Sequence, residues 1–354
     1  MKKKEPYYNL LQRLCAKTGS INITDEDKII VFSDLHVGER NSRDDFMPNS
    51  SLFLKTLTDY YLPKGYTLIL NGDVEELHRY SLQEINDKWK DLYEVFDKFA
   101  SRGRFYKIYG NHDSKLFTLP REPIRYHLHE AIKLEYKGKI IFLFHGHQLS
   151  YYYQRFNDLM GLFLRYIAKP LRIKHYAVAH DNQKKFTIEQ RMYKFASENR
   201  IISIIGHTHR PLFESMSKVD ELNYQIETLL RNLQRTKKSE RSPVEKQVKG
   251  LKKEIDRHVE RKGSEISLSN VYSTNTIIPC VFNSGCVLGK RGFTGIEIEG
   301  GNISLVHWFD RNTVKHYVRE DEKNTIRLDQ SDYYRSTIKK DDLDYIFTRI
   351  ELLT

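Results

Sequence analysis

Five short apolar segments of this chain each end in a loop that carries aspartate, asparagine or histidine. The first segment, Ile29 to Phe32, has the pattern of a buried strand and is followed by Asp34 and His36. These two residues are separated by one position, so in an extended segment their side chains point to the same side. A single loop of this kind commonly holds only a turn-forming aspartate and a surface histidine. The recurrence of such loops after five apolar segments is what constrains the fold.

Similar apolar segments at 66–70, 105–109, 139–144 and 201–205 are each followed by a loop with oxygen or nitrogen donors. The seven donors are Asp34, His36, Asp73, Asn111, His145, His207 and His209. Such donors suit divalent first-row metals, and seven of them exceed the usual capacity of one site. Two metals that share a bridging carboxylate would account for the number.

Strand–loop units separated by helical segments favour a layered α/β fold. We expect an N-terminal extension at 1–27, a core domain at 28–310 and a C-terminal extension at 311–354. The core carries two insertions, a helical cap at 148–199 and an antiparallel helical hairpin at 218–262. The alternative for the second insertion is a flexible, partly helical segment. Helical periodicity also predicts one long helix from Leu82 to Ser101, and the C-terminal extension suggests a helix from Asp341 to Leu353.

The 354-residue chain has a net charge of +11, which favours an anionic partner such as a phosphate ester, nucleic acid or anionic lipid, although solubility alone also explains it. No apolar segment approaches the ~20 residues that span a bilayer. The basic N-terminus lacks the apolar run of a secretion signal. The cysteines, Cys15, Cys280 and Cys286, form no Cys-x-x-Cys pair. We therefore expect a protein without a transmembrane segment, in the reducing cytoplasm.

Taken in order, the five loops resemble the motif blocks of the calcineurin-like metallophosphoesterases. The matching blocks are Asp34-x-His36, Gly72-Asp73-x-x-Glu76, Gly110-Asn111-His112-Asp113, His145-Gly146 and Gly206-His207-x-His209. The resemblance covers residues 28–214 and extends more loosely over the strands to residue 310. One departure is that Glu76 stands where the family usually carries aspartate.

The resemblance implies a four-layer α/β/β/α sandwich with a dinuclear metal centre at the strand ends. Asp34, His36, Asp73 and His209 would hold one metal, and Asp73, Asn111, His145 and His207 the other. His112 would be a general acid or an electrostatic stabiliser, oriented by Glu76. The mixed donors suit Mn, Fe or Zn and suit Mg less well. Two such metals activate a bridging hydroxide for attack on phosphorus.

The segment 148–199 lies between two ligand loops and is rich in aromatic and basic residues. It resembles the helical cap of the UDP-2,3-diacylglucosamine pyrophosphohydrolases, which implies a nucleotide-sugar or lipid-linked substrate. The plainer interpretation is that its aromatic residues only pack the cap on the core. Those enzymes also commonly carry arginine where this chain has His112, and they lack a long charged hairpin. The candidate substrate contacts are His147, His175, His180 and Arg210, and a surface or packing role is equally common for such residues.

Three functions stay open at this point. The first is hydrolysis of a small or lipid-linked phosphodiester or pyrophosphate, and the second is cleavage of DNA or RNA. The third is a protein phosphatase or an assembly module that binds partners through the hairpin. Because a two-helix hairpin leaves one side of its apolar seam open, we also expect a homodimer through 218–262.

Overall fold

The computed structural model describes residues 5–119, 126–150, 182–215, 241–262, 278–289, 291–313 and 325–354, together with residues 222, 226 and 229. The strands in chain order are β1 (Ser20–Ile23), β2 (Lys28–Phe32), β3 (Thr67–Asn71), β4 (Phe105–Ile108), β5 (Leu128–His129), β6 (Ala131–Tyr136), β7 (Lys139–Phe144), β8 (Ile202–Ile205), β9 (Val281–Asn283), β10 (Phe293–Glu299), β11 (Asn302–Asp310), β12 (Thr325–Arg327) and β13 (Tyr333–Asp342). They form two sheets, one of eight strands and one of five.

The eight-stranded sheet has the order β12-β13-β11-β10-β2-β3-β4-β5. The strands β2, β3, β4 and β5 are parallel, whereas β10, β11, β12 and β13 extend the sheet with antiparallel pairs. Because parallel strands end at the same edge of a sheet, the loops after β2, β3 and β4 meet there.

The five-stranded sheet has the order β1-β6-β7-β8-β9. β6 and β7 form an antiparallel hairpin, with Tyr136 opposite Lys139 across its turn. β8 pairs in parallel with β7 on one side and β9 on the other, so the loops after β7 and β8 also lie at one edge. The two sheets thereby supply five strand-end loops to the site.

The helices are α1 (Pro6–Lys17), α2 (Met47–Thr56), α3 (Leu82–Lys88), α4 (Lys90–Ala100), α5 (Asn182–Asn199), α6 (Arg241–Lys262) and α7 (Leu343–Leu353). A π-helical turn at Leu57–Tyr61 extends α2, and short 3-10 turns span Ser114–Thr118 and His147–Leu149. The helix predicted over 82–101 is in fact two helices that meet at Trp89. The buried indole nitrogen of Trp89 donates hydrogen bonds to the backbone oxygen of Gly38 and to Oδ2 of Asp44. These tertiary contacts lie at the break between α3 and α4.

Two apolar clusters define the layers. Ile29, Val31 and Ile69 of the large sheet pack in one cluster with the small sheet and with α1, α5 and α7. Ile30 and Phe32 face the other way and pack with α2, α3 and α4 in the second cluster. The alternation along β2 therefore gives each face of the large sheet its own core. The predicted layered α/β/β/α sandwich is confirmed.

Both terminal segments contribute strands to this sandwich, because β1 pairs with β6 and β13 pairs with β11. The predicted terminal helix is present as α7. Of the predicted cap, only residues 148–150 and 182–199 are described, and of the hairpin, α6 and the three residues 222, 226 and 229. Within the described ranges, no helix combines the length and apolar character needed to cross a bilayer.

Candidate metal centre

The structure brings the candidate ligands from the two sheets together. Asp34, His36 and His209 offer ligand atoms within 4.8 Å of one another, and Asp73, His145 and His207 form a second such group. The loop of Asn111 joins the site because the amide of His112 donates a hydrogen bond of 2.8 Å to Oδ1 of Asp73. Loops that are up to 175 residues apart in the chain thus converge on one place.

The two aspartates lie between imidazoles of different loops. Oδ1 of Asp34 lies 3.0 Å from Nε2 of His209 and 3.9 Å from Nε2 of His36. Oδ2 of Asp73 lies 3.1 Å from Nε2 of His145 and 3.9 Å from Nε2 of His36. Asp73 therefore faces a donor from each of the two groups, which is the placement that a bridging carboxylate requires.

The candidate ligands have an unusual backbone conformation. Five of them adopt positive φ angles, namely Asp34 at 55°, His36 at 48°, Asp73 at 52°, His207 at 63° and His209 at 54°. This left-handed region costs a non-glycine residue roughly 1–3 kcal/mol and persists where surrounding contacts enforce it. Backbone hydrogen bonds of 3.0 Å from Asp34 to Gly72 and from His36 to Asp73 are among those contacts.

Two glycines allow the loops to approach each other. A Cβ atom at Gly110 would lie 2.1 Å from Oδ1 of Asp73, and one at Gly206 would lie 2.7 Å from Oδ2 of Asp34. Neither carboxylate could keep its position beside such an atom. The glycines that the sequence places in these loops are therefore needed for space.

Hydrogen bonds fix the orientation of two imidazoles. Nδ1 of His145 donates to the backbone oxygen of Asn71 at 2.9 Å, since a carbonyl can only accept. Nδ1 of His36 lies 2.9 Å from Oε2 of Glu76. Each ring therefore directs Nε2 toward the two aspartates, as metal-binding histidines do when their other nitrogen is held by a second group.

The electrostatics of the site follow from this crowding. Although burial raises it, the neighbouring His209 and His145 lower the pKa of Asp34 to about 2. The pKa of Asp73 is lowered well below its usual value, against the effect of burial, by His145 and His112. Burial lowers the pKa of His145, but Asp73 and Asp34 outweigh it and raise the value to about 10. Burial and the proximity of His145 lower the pKa of His207 to about 3.

Four candidate ligand atoms are buried without a well-oriented hydrogen bond to any described residue, although Oδ1 of Asp34 lies 3.0 Å from His209 and Nε2 of His145 lies 3.1 Å from Asp73. They are Oδ1 of Asp34, Oδ1 of Asn111, Nε2 of His145 and Nε2 of His207. Buried polar atoms nearly always have a partner, so a cluster of four unsatisfied donors and acceptors requires an explanation. Divalent cations would satisfy all four, and the mixed oxygen and nitrogen set suits first-row metals. The residues therefore fit a dinuclear centre.

His112 and Glu76, the predicted catalytic pair, are in contact at this site. Nδ1 of His112 lies 2.8 Å from Oε2 of Glu76. Burial lowers the pKa of His112, but Asp73 and Glu76 outweigh it and raise the value to about 9. In the cation-free site this imidazole is therefore protonated at neutral pH. The ring of His78, which the sequence analysis did not single out, lies 4.4 Å from that of His112.

The predicted substrate contacts have different surroundings. His147 is buried, with its ring 5.5 Å from that of His145. Burial and the proximity of His145 hold its pKa well below the usual value. Arg210 forms an ion pair with Glu189 of α5. His175 and His180 lie outside the described residues.

Asp113 has a structural role that its place in the motif did not reveal. Its Oδ2 accepts a 2.8 Å hydrogen bond from the amide of Val74, and Oδ1 accepts one from the amide of Gly110. One carboxylate thus joins the loop of Asp73 to the loop of Asn111. Burial, with Asp73 and Glu75 nearby, raises the pKa of Asp113 to about 7.

A family model and solved structures match this chain. The model of the calcineurin-like phosphoesterase superfamily domain matches residues 28–224. No curated protein sequence matches the chain. Similar solved structures include a Streptococcus pneumoniae protein described as a predicted phosphoesterase, with 15% identity over 79% of this chain and 87% of that chain and a TM-score of 0.29. A dimetal phosphatase from Danio rerio is 8% identical over 79% of this chain and 95% of that chain, with a TM-score of 0.34. At such TM-scores these two likenesses carry no functional conclusion.

Proposed function

Since this chain belongs to the calcineurin-like phosphoesterase superfamily and is a hydrolase of phosphoric esters, we propose that it cleaves a phosphodiester or pyrophosphate bond at a dinuclear metal centre. The observation that carries this proposal is the group of buried ligand atoms without well-oriented hydrogen bonds, held at the strand ends of two sheets. A purely structural cluster would satisfy these atoms internally.

The proposed ligand sets share Asp73. Asp34, His36, Asp73 and His209 would hold one cation, and Asp73, Asn111, His145 and His207 would hold the other. When bound, two divalent cations supply Lewis-acid activation of water and neutralise charge on the phosphoryl oxygens. Manganese, iron and zinc fit the mixed donors best.

His112 protonates the leaving oxygen in this proposal. In the cation-free protein, against the effect of burial, Asp73 and Glu76 raise its pKa to about 9, and Glu76, 2.8 Å from Nδ1, is the group that would stabilise the protonated imidazole when Asp73 is bound to cations. Glu76 also limits rotation of the ring, so that the nitrogen remote from the carboxylate, Nε2, is left to donate. The pair therefore supplies and orients one proton.

The test is hydrolysis by metal-loaded protein of three substrates: an acylated uridine diphosphate sugar, single-stranded DNA and a phosphomonoester. Protein stripped with EDTA is the control, and elemental analysis identifies the metals. We expect cleavage of the diphosphate with close to two metals per chain. Preferential cleavage of DNA would favour a nuclease, and hydrolysis of the monoester alone would contradict the proposed bond type.

A path of aromatic rings supports a nucleotide-containing substrate. The ring of His147, next to candidate ligands, lies 5.6 Å from that of Tyr109, which lies 4.4 Å from the ring of Phe117. Phe117 is 56% exposed, although it is large and apolar. A planar base stacks on such a ring, and stacking of this kind contributes about 1–3 kcal/mol per base.

This substrate class is tested by binding of UMP and of ribose 5-phosphate to the metal-loaded protein. Phe117→Ala should weaken UMP binding by about tenfold, in line with the free energy of stacking, and leave ribose 5-phosphate unchanged. Tyr345→Ala, which removes an aromatic residue 53% exposed on α7, is the matched control. Equal effects on both ligands would argue against a base-stacking ring.

The proposed homodimer rests on the hairpin at 218–262. Leu222 and Leu251, one from each half of the predicted hairpin, are buried, whereas Val244, Val248 and Ile255 of α6 are only half-buried. These apolar residues of α6 are therefore available to contact a symmetry mate. Light scattering on a variant with 218–262 replaced by a Gly/Ser linker is the test, and an unchanged dimer would contradict the assignment.

A cytoplasmic location is supported by Cys15, Cys280 and Cys286, which are all free thiols.

A further inference from the structure

Glu189 of α5 contacts the residues on both sides of the candidate ligand His209. Its Oε1 accepts a 3.1 Å hydrogen bond from the hydroxyl of Thr208 and another of 3.1 Å from Nε of Arg210. Its Oε2 accepts a hydrogen bond from Nη2 of Arg210. One carboxylate, only 7% exposed, therefore binds three donors from two residues of the same loop.

The helix that carries Glu189 is firmly anchored. Ile188, Met192, Phe195 and Ala196 are all buried and belong to the apolar cluster between the layers. Their spacing places them on one face of α5, and Glu189 projects beside that face. Because a packed helix holds its side chains in place, Glu189 presents a fixed anion to the loop after β8.

The loop itself needs such support. His207 and His209 have φ angles of 63° and 54°, which are unfavourable for histidine. Thr208 between them is fully buried, and its hydroxyl accepts a 2.9 Å hydrogen bond from Asn283 while it donates to Glu189. A chain of polar contacts thus runs from β9 through Thr208 to α5.

We propose that Glu189 is a positioning residue for the metal centre, which holds His207 and His209 in the conformations that direct their imidazoles toward Asp34 and Asp73. This inference rests on the proposed function, since it takes both histidines to be metal ligands. Glu189 acts through Thr208 and Arg210 and is not itself one of the proposed ligands. It also engages Arg210, the predicted substrate contact, so that this guanidinium is oriented by α5.

The competing interpretation is that these contacts only stabilise the fold. The two interpretations predict different metal affinities for variants that fold. Loss of a contact that only stabilises the fold lowers the melting temperature and leaves the metal affinity of the remaining folded molecules unchanged. Loss of a positioning contact lowers that affinity even where the protein is fully folded, and the roughly 10–100-fold effect of groups bonded directly to a ligand is the upper bound for a group bonded to the ligands' neighbours.

The experiment is a titration of cation-free protein with Mn²⁺, followed calorimetrically, together with melting curves in EDTA. Glu189→Gln keeps the size of the side chain and an oxygen that can accept from Thr208, but it loses the charge that pairs with Arg210. Glu189→Ala removes all three contacts. Glu198→Gln changes an exposed carboxylate on the same helix and is the matched control.

We expect the dissociation constant for Mn²⁺ to rise by about tenfold, the lower end of that range, in Glu189→Ala and by less in Glu189→Gln, with no change in Glu198→Gln. If Glu189→Ala does not fold, the ranking of Glu189→Gln against Glu198→Gln decides. Wild-type affinity in a folded Glu189→Gln variant, with only a lower melting temperature, would overturn the positioning role and leave the proposed function intact. Wild-type protein that binds no cation would overturn the proposed function itself.

Discussion

Oε2 of Glu76 lies 2.9 Å from Nδ1 of the candidate metal ligand His36. The same oxygen lies 2.8 Å from Nδ1 of His112. One carboxylate oxygen therefore serves both a proposed metal ligand and the proposed general acid. The glutamate that the sequence carries in place of the family's usual aspartate is one methylene longer, and this length is part of the observed geometry.

Shortening this side chain should separate its two contacts. We expect Glu76→Asp to lose at least one of the contacts to His36 and His112, since the carboxylate is drawn back toward its own backbone. The affinity for divalent cations should fall by about tenfold if the contact to His36 is lost, as for other groups that orient metal-binding histidines. Calorimetric titration measures this, and Glu94→Asp, an exposed change on α4, is the control. Unchanged affinity and unchanged turnover in Glu76→Asp would show that neither contact matters.

Removing the charge of Asp73 should weaken both proposed sites together. Asp73→Asn replaces the carboxylate that faces His36 and His145 with a neutral amide of the same size. Elemental analysis after dialysis should find fewer than two metals per chain, whereas the exposed change Asp87→Asn should have no effect. Full metal content in Asp73→Asn would contradict the bridging role.

Replacement of His112 should affect chemistry and leave metal binding intact. His112→Ala is expected to reduce turnover of an alkyl phosphodiester by about 10²–10⁴-fold, the usual contribution of general acid catalysis. Bis-p-nitrophenyl phosphate has an acidic leaving group that needs less protonation, so its turnover should fall less. Equal losses on both substrates would favour an electrostatic role for His112.

Gly110→Ala tests the space between two loops. The added Cβ would lie 2.1 Å from Oδ1 of Asp73, so the loop of Asn111 must move away from the site. We expect a lower melting temperature and lost metal binding. Gly19→Ala is the control, because its Cβ would meet no atom within 4 Å. Equal behaviour of the two variants would show that the loops adjust without cost.

Metal binding should release protons at neutral pH. In the cation-free protein the pKa of His145 is raised to about 10, so this imidazole is protonated well above pH 7. A cation must displace that proton, and the apparent affinity should therefore increase with pH, by about tenfold per unit for each proton released. His207, with its pKa lowered to about 3, contributes no proton in this range. Calorimetry at pH 7 in buffers of different ionisation enthalpy measures the release, and a value near zero would contradict the assignment of His145.

The strands that precede the candidate ligands could be predicted from local pattern, because they are short apolar runs closed by polar loops. The same reasoning missed β13, whose sequence is rich in charged residues and whose side chains are mostly half-buried or exposed. Its position depends on backbone hydrogen bonds to β11, which leave no apolar periodicity in the sequence. The break at Trp89 was missed because both sides of it have helical patterns, and the contacts of its indole are tertiary.

The grouping of candidate ligands could also be anticipated, because each ligand follows a strand that pairs in parallel with a neighbouring strand. Their supporting residues could not. Glu189 lies on a helix and meets Thr208 and Arg210 through packing that no local motif encodes. Asp113 is visible in a motif, but its two acceptor contacts depend on the approach of two separate loops. Pattern locates the chemistry, whereas tertiary packing determines what holds it in place.

Five candidate ligands combine a side chain that the proposed function needs with a positive φ angle that disfavours folding. Glycine adopts such φ angles without steric penalty, so the backbone alone would favour glycine at each of these positions by about 1 kcal/mol. Selection of random variants for thermal stability in the absence of cations should therefore enrich glycine at Asp34, His36, Asp73, His207 and His209. Such a selection would dismantle the centre through its own ligands, and only a simultaneous demand for turnover would retain them.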